Sequence, residues 1–391
     1  MNNRRRALAL SLSSLGSLGR LGRLPTWPAL TLLGAPLHAS AKPTAPEPST
    51  LLRRGEPLVF PRDFGAHPAL RTEWWYLTGT LATAGGPELG FQVTFFRSRV
   101  DTAAGHPSAF AARQLVFAHA ALSDPQAGRL VHDQRIARAG FGLAEAAEGD
   151  TRVSLRDWTL ARSGPVERSV YSTRIRARGF DFDLRFEQTQ PVLLQGEAGF
   201  SRKGPRPEQA SRYYSHPQLR VSGSLGRDGK EGKDSRRSPV QGRAWLDHEW
   251  SESLLDADAV GWDWVGVNLH DGGALTAFRL RRRDGSALWA GGSLRAADGT
   301  TRSLSPDEVR FSPQRWWTSP STRARYPVVW QVAVAGRALT VRARLDAQEL
   351  DSRASTGGVY WEGLSDLLDE QGRPMGTGYL EMTGYAAPMK L

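Results

Sequence analysis

From about residue 58 onward the chain alternates in short runs. Phe91-Gln92-Val93-Thr94-Phe95 puts an apolar residue at every second position, the period of a strand with one buried face. Trp262 to Leu269 is a longer run of the same kind, and Val328 to Val334 and Leu339 to Leu345 are two more. Asp-Gly pairs, the strongest short hairpin signal, stand at Asp228-Gly229, Asp271-Gly272, Asp284-Gly285 and Asp298-Gly299. Sustained helical periodicity is scarce. Glu362 to Asp369 is the one stretch that reads as a short helix or turn. Many short strands joined by hairpins predict an all-β chain of barrels or sandwiches.

The polar, Gly-rich stretch from Arg227 to Pro239 reads as a loop near the boundary between two β domains. That divides the chain into an N-terminal domain over 58–240 and a C-terminal domain over 241–391. Upstream, Arg4-Arg5-Arg6, the apolar run Ala7 to Leu18 and the small-x-small site Ala39-Ser40-Ala41 make an export signal over 1–41. The expected location is therefore periplasmic or secreted. The paired arginines fit the twin-arginine route, although Arg20 and Arg23 interrupt the apolar stretch. Residues 42–57 form a Pro-rich linker.

At 391 residues the chain has room for two domains of ordinary size. Its 13 Trp suit an aromatic-lined cavity as well as plain core filling. It has no cysteine, which excludes disulfides, Cys-ligated metals and thiol nucleophiles. The net charge of +11 falls to about +6 without residues 1–41, which hold five Arg and no acid. This mild, spread-out charge favours a peripheral contact with anionic lipid but is no nucleic-acid footprint. There is no phosphate loop, dinucleotide fingerprint or Gly-x-Ser-x-Gly elbow, so no cofactor is expected.

Four segments hold residue types that a plain barrel does not require: Glu73 to Gly79, Phe117 to Asp124, Ala244 to Ser251 with Gly261 to Trp264, and Tyr360 to Gly363 with Gly378 to Tyr385. In an extended strand Trp245, Asp247 and Glu249 share one face, and Leu246, His248 and Trp250 share the other. An aspartate in phase with an indole is a carboxyl set in an aromatic wall. Burial there raises its pKa and makes it a proton donor. Asp263 lies on the face of Val265 and Val267, opposite Trp262 and Trp264. As a buried acid it needs a partner such as Arg97 or Arg279. For each of these acids an ion pair that fixes strand register is the competing reading, and His119 and His216 read equally well as hydrogen-bonded core residues. His119, His216, Asp247, His248 and Glu249 are metal-ligand types, but no His-x-His or His-x-x-x-His spacing supports a metal site.

The same segments resemble the carotenoid 1,2-hydratase/AttH family, some of whose members are labelled secreted hydrolases. Glu73-Trp74-Trp75-Tyr76, Gly90 to Arg97, His119 with Asp124, Trp245 to Trp250, Gly261 to Trp264, Tyr360-Trp361-Glu362-Gly363 and Gly378 to Tyr385 carry the resemblance, from about Phe60 to Tyr385. It implies two tandem lipocalin-like β-barrels. It also implies shared ancestry with cofactor-free enzymes that add water across the terminal double bond of an acyclic carotenoid, through a carboxylic acid beside aromatic rings. Carried onto this chain, that acid is Asp247, with Trp245 beside it and His216 upstream. Trp74, Trp75, His119, His248, Trp250, Trp262, Asp263, Trp264, Tyr360 and Trp361 are the expected substrate-binding residues. Two functions follow. One is acid-catalysed hydration or hydrolysis of an apolar isoprenoid, lipid or polyketide-like molecule. The other is a non-catalytic periplasmic carrier of such a molecule, which the resemblance links to an ABC-type transporter. Both require an indole-walled hollow within the β structure.

Overall fold

The computed structural model describes residues 52–227, 237–252 and 255–389. All belong to one compact unit spanning Pro46–Leu391. The expected export signal and most of the linker lie outside the described residues, as does the Asp228-Gly229 turn.

The described chain is almost entirely antiparallel sheet. The first sheet contains β1 (Thr72–Ala82), β2 (Leu89–Arg99), β3 (Gln114–Asp124), β4 (Arg129–Arg138), β5 (Ala144–Ala146), β6 (Arg152–Leu155), β7 (Trp158–Ser163), β8 (Val170–Ala177), β9 (Phe180–Glu187), β10 (Leu193–Leu194), β11 (Phe200–Arg202), β12 (Ala210–Arg227) and β13 (Ser238–Ser251). Its order is β4-β3-β2-β1-β13-β12-β9-β8-β7-β6-β5, with β10 and β11 against β12. The sheet curls until β3 and β4 touch β5 and β6, nearly closing a barrel.

The second sheet contains β14 (Ala259–Leu269), β15 (Ala274–Arg282), β16 (Ala287–Arg295), β17 (Thr301–Leu304), β18 (Val309–Thr318), β19 (Arg325–Val334), β20 (Arg337–Ala343), β21 (Glu349–Asp351), β22 (Val359–Leu368) and β23 (Pro374–Met382). Its order is β17-β16-β15-β14-β23-β22-β20-β19-β18, with β21 against β22. It also curves round, so that β15 and β16 touch β18. The three described Asp-Gly pairs close the hairpins β14–β15, β15–β16 and β16–β17. Each glycine takes a positive φ there, between 85° and 93°, which an L side chain adopts only with strain.

Three expectations need correction. Glu362 to Asp369 is no helix; all but Asp369 belongs to β22, whose hydrogen bonds to β20 and β23 on its two edges override the local helical look. The Arg227–Pro239 segment is not a domain boundary. It joins β12 to β13, neighbours within the first sheet that pair Leu225 with Ser238. The change of sheet therefore falls after Ser251, not at 240/241, because β13 is the first sheet's own strand.

The sheets meet along β1, β2, β12 and β13 of the first and β14, β22 and β23 of the second. Strands far from this contact alternate: in β8, Tyr171, Thr173 and Ile175 are buried while Ser172 and Arg174 are exposed. Strands at the contact are buried on both faces, as in Ala244–Ser251 of β13. Their inner sides fill two separate cores. One holds Trp75, Phe91, Phe95, Trp158 and Phe186, and the other Phe311, Tyr326, Trp330 and Trp361. A third cluster of Tyr76, Trp245, Trp264, Phe278, Leu364 and Tyr379 lies between the sheets. The expected hollow is thus not inside a barrel. Aromatic side chains fill the interiors, and the open space is a cleft between the sheets.

Gly90 of β2 sets how closely the sheets approach. A Cβ there would stand 2.5 Å from Tyr379 Oη and 2.9 Å from Leu364 Cβ, both on the second sheet. Gly90→Val is expected to overpack this contact at a cost of about 1–3 kcal/mol, read as a lower urea midpoint. An unchanged midpoint would mean that the sheets tolerate separation.

Candidate functional site

Strand alternation distributes the buried charges among three places. The first lies inside the first sheet, where Glu73 on β1 is a hub. Its Oε1 meets His67 Nδ1 at 2.8 Å and His248 Nε2 at 2.9 Å, and its Oε2 accepts from Arg97 Nε at 2.8 Å. His248 Nδ1 in turn lies 3.0 Å from Tyr214 Oη. Although burial opposes it, hydrogen bonds and charge from the two histidines hold the Glu73 carboxyl far below its ordinary range. Burial pushes His248 down to about 4, against the pull of Glu73. His67, Glu73 and His248 bring their ligand-type atoms within 4.8 Å of one another. Each of those atoms already bonds within the group, and Arg97 supplies the positive charge, so the donor set is that of a closed ion network. No sequence spacing pointed to it, because His67 comes from the segment before β1.

The second place is inside the second sheet. Asp263 accepts from Arg279 Nε at 2.7 Å and from Tyr385 Oη at 2.8 Å, with Arg281 at 3.6 Å. Arg279 is one of the two partners expected for Asp263. The other, Arg97, belongs to Glu73.

The third place is the junction between the sheets. Trp245, Asp247 and Glu249 point there from β13, and Leu246, His248 and Trp250 point into the first core, the division that strand geometry predicts. Trp245 Nε1 donates to Asp247 Oδ1 at 2.7 Å, and Ser215 Oγ donates to the same oxygen. Gln195 Nε2 ties Ser215 to the second sheet, reaching Ser215 Oγ at 2.8 Å and Thr276 Oγ1 at 3.0 Å. Burial raises Asp247 to about 7, outweighing these hydrogen bonds. The Tyr213 phenol is a third neighbour that favours the ionised form, and burial outweighs it as well.

Two further acids face the same junction. Glu362 and Glu381 sit directly opposite each other on β22 and β23. Burial, reinforced by the charge of Glu381, pushes Glu362 well above the ordinary range; burial also takes Glu381 up to about 7. The junction also buries Glu249, which differs in being paired: Lys203 Nζ lies 2.9 Å away. Tyr213, Tyr76 and Tyr379 surround the acids. Trp264 stands edge-on to Tyr76 with ring centroids 5.5 Å apart, and its Nε1 donates to Tyr213 Oη at 3.3 Å. A cleft of about 900 Å³ opens beside them, with Trp245, Leu364 and Tyr379 in its wall and polar residues such as Arg220, Arg243 and Gln218 around it. The Trp245 indole thus touches both the cleft and the acid.

The sequence-derived set is therefore split. Asp247, Trp245, Trp74, His119, Trp262, Trp264 and Tyr360 lie on the junction side of their strands. Trp75, His248 and Trp250 pack inside the first sheet, and Trp361 and Asp263 inside the second. His216 does not meet Asp247. It pairs with Leu246 and points into the first core, among Phe64, Tyr171 and Tyr214. Both its ring nitrogens lack a hydrogen-bond partner, and burial lowers it to about 3. Tyr213, Tyr76, Glu362 and Glu381 were missed as site residues. A two-residue period in Tyr360-Trp361-Glu362 and Tyr379-Leu380-Glu381 was the available signal.

The AttH-like family pattern matches residues 51–385. No curated protein matches the chain. A Nitrosomonas europaea protein solved as an AttH is 50% identical, covers 85% of this chain and 98% of its own, and superposes with a TM-score of 0.78. Kievitone hydratase from Nectria haematococca superposes with a TM-score of 0.61 at 15% identity, over 84% of this chain and 94% of its own. CghA, solved with Sch210972, gives 0.50 at 13% identity, over 80% and 88%. The last two share its fold alone. With an all-β, lipocalin-like fold and a family match over nearly all of the described residues, this chain belongs to the AttH-like family.

Proposed function

We propose that the protein hydrates an apolar, unsaturated small molecule held between the two sheets, with Asp247 as the general acid. The observation that carries this reading is a carboxyl, 3% exposed, with no cation bonded to it, wedged against an indole that walls the cleft. The Asp247 carboxyl gives its proton to one alkene carbon as the π bond breaks. Nearby indole and phenol faces stabilise the resulting carbocation by roughly 0.5–2 kcal/mol each. Water then adds to the cation and releases a proton, so the step consumes none overall. Trp245 and Ser215 hold the conjugate carboxylate once the proton has left. Trp264, Trp262, Trp74 and Tyr76 are the ring faces on that side. The kinship with carotenoid hydratases suggested by the sequence, and the hydratase named among the fold relatives, support the reaction class. The leader over 1–41 is the basis for proposing export.

A second reading is a carrier without turnover, working with an ABC-type transporter or at a membrane surface. In its favour, Trp245 lines the cleft and Asp247 does not, so the acid stands behind the indole. Native mass spectrometry of the freshly purified protein, followed by long incubation with the ligand found, separates the two: a carrier returns its ligand unchanged.

Hydration is tested by incubating the protein with acyclic polyenes and looking for the mass of one added water. Asp247→Asn is expected to lower the rate by about 10²–10⁴-fold; full turnover in that variant would remove Asp247 as the acid. Stability gives a test that needs no substrate. Folded Asp247 keeps its proton up to about pH 7, while the unfolded chain releases it near 3.8. Folding therefore takes up a proton between those values, and stability falls as pH rises across them. Asp247→Asn has no proton to lose, so urea melts are expected to show it gaining on the wild type between pH 4 and pH 8. A pH-independent difference would place Asp247 in an ordinary, solvated setting.

A further inference from the structure

The junction contains a second acidic feature that the reaction above does not use. Glu362 and Glu381 face each other across β22 and β23. Glu362 is buried and Glu381 partly buried, and the charges that bear on them are that of Glu381 on Glu362 and those of Asp247 and Glu249, on β13, on Glu381. The remaining titratable neighbours are phenols: Tyr76 from β1, Tyr360 on β22 and Tyr379 on β23, with Arg344 beyond Tyr379. Two carboxylates in one such site cannot both be ionised without a large penalty. Glu362 Oε1, Tyr76 Oη and Gln92 Oε1 are all buried there without a hydrogen-bond partner.

A chain of hydrogen bonds runs from Tyr360, the neighbour of Glu362, to the outside. The Tyr360 hydroxyl, which adjoins Glu362, lies 2.8 Å from His119 Nδ1. His119 Nε2 lies 2.8 Å from Ser355 Oγ. The direction of each bond follows from the far end. Gln134 Nε2 donates to Asp351 O at 2.6 Å, which turns the Gln134 Oε1 towards Ser355. The Ser355 hydroxyl donates to that oxygen at 2.6 Å, or to Ser352 O at 3.2 Å. Its own oxygen must therefore accept from His119 Nε2–H. Neutral His119 then has a bare Nδ1, which accepts from Tyr360. From Tyr360 onward every donor points outward. Gln134 lines an outer-surface groove of about 660 Å³ beside His132 and Asp351, and Ser355 is only half-buried. His119 itself is 2% exposed, and its low pKa of about 3, due to burial and then to His132, fits the neutral tautomer this order requires.

We propose that Glu362 and Glu381 form a proton-holding carboxyl pair that exchanges its proton with solvent through Tyr360, His119 and Ser355. One proton moves by a shift of each link. Glu362 gives its proton to Tyr360 Oη, Tyr360 gives its own to His119 Nδ1, His119 gives the Nε2 proton to Ser355 Oγ, and Ser355 turns from Gln134 to pass its own to groove water. Each link ends with as many protons as it began. Resting on the hydration reading, the pair takes up the proton released by the attacking water and returns one to Asp247, which closes the cycle, while the relay keeps the pair in equilibrium with solvent. His119 and Tyr360 are then relay residues and not substrate contacts.

The experiment requires no substrate, so its outcome is independent of whether hydration occurs. Infrared spectra at neutral pH should contain a protonated-carboxyl C=O stretch that is lost in Glu362→Gln or Glu381→Gln and survives in Asp247→Asn apart from Asp247's own contribution. On transfer to D2O the band shifts as the proton exchanges. In His119→Phe and in Tyr360→Phe, which keeps the ring and serves if the histidine variant fails to fold, the band should remain at full intensity. Its exchange should be roughly 10²-fold slower, the low end of what a positioned proton-transfer group contributes. A band retained in both glutamine variants overturns the pair. Exchange at the wild-type rate in a folded relay variant overturns the path.

Discussion

Strands at the contact between the two sheets are covered on both faces along much of their length. A sheet with one side in water can send its polar residues outward, but β1, β13, β14, β22 and β23 must bury whatever lies on either side. Each polar group there must find a partner, change its protonation state or carry a free-energy cost. The division between the two cores and the junction follows from how each of these groups meets that requirement.

Inside the curved sheets the answer is pairing. Glu73 has Arg97 and two histidines, and Asp263 has Arg279, Arg281 and Tyr385. Removing one partner from such a group strands a buried charge, so these networks fix register and are poor candidates for chemistry that gives a proton away. At the junction the answer is protonation. Asp247, Glu362 and Glu381 are surrounded by indoles, phenols and hydroxyls, and all three titrate high. Glu249, paired with Lys203, shows that a cation could have been supplied there and was supplied to one acid alone. Raised carboxyls gathered beside a cleft are the pattern expected of a site that handles protons.

Much of this was legible in the sequence, and what was not has a physical cause. The period of two gave β2, β14 and β19, the Asp-Gly pairs gave three hairpins of the second sheet, and alternation put Trp245 with Asp247 and His248 with Trp250. Alternation says which residues share a face but not what that face looks at, since both sides of a contact strand are buried. This is why Trp75, which faces the first core, looked as promising as Trp74, one residue away on the other face, and why His216, also facing the first core, stood among the expected site residues while Tyr213 did not. Glu362 to Asp369 has Leu364, Leu367 and Leu368 spaced as on a helix, and only pairing along both edges makes it a strand. His67 was invisible for a different reason: its partner Glu73 is six residues on, in a different element, and His248, on the neighbouring strand β13, lies 175 residues from Glu73 along the chain.

The alternation in β13 also bears on redesign. Trp245, Asp247 and Glu249 address the junction, where Trp245 walls the cleft, while Leu246, His248 and Trp250 address a packed interior one residue away along the backbone. A mutational library that randomises the whole segment mixes two unrelated experiments, since half its positions alter selectivity and half alter folding. Restricting diversity to the odd-numbered positions, with the even-numbered ones left native, would vary the junction without discarding most clones to misassembly.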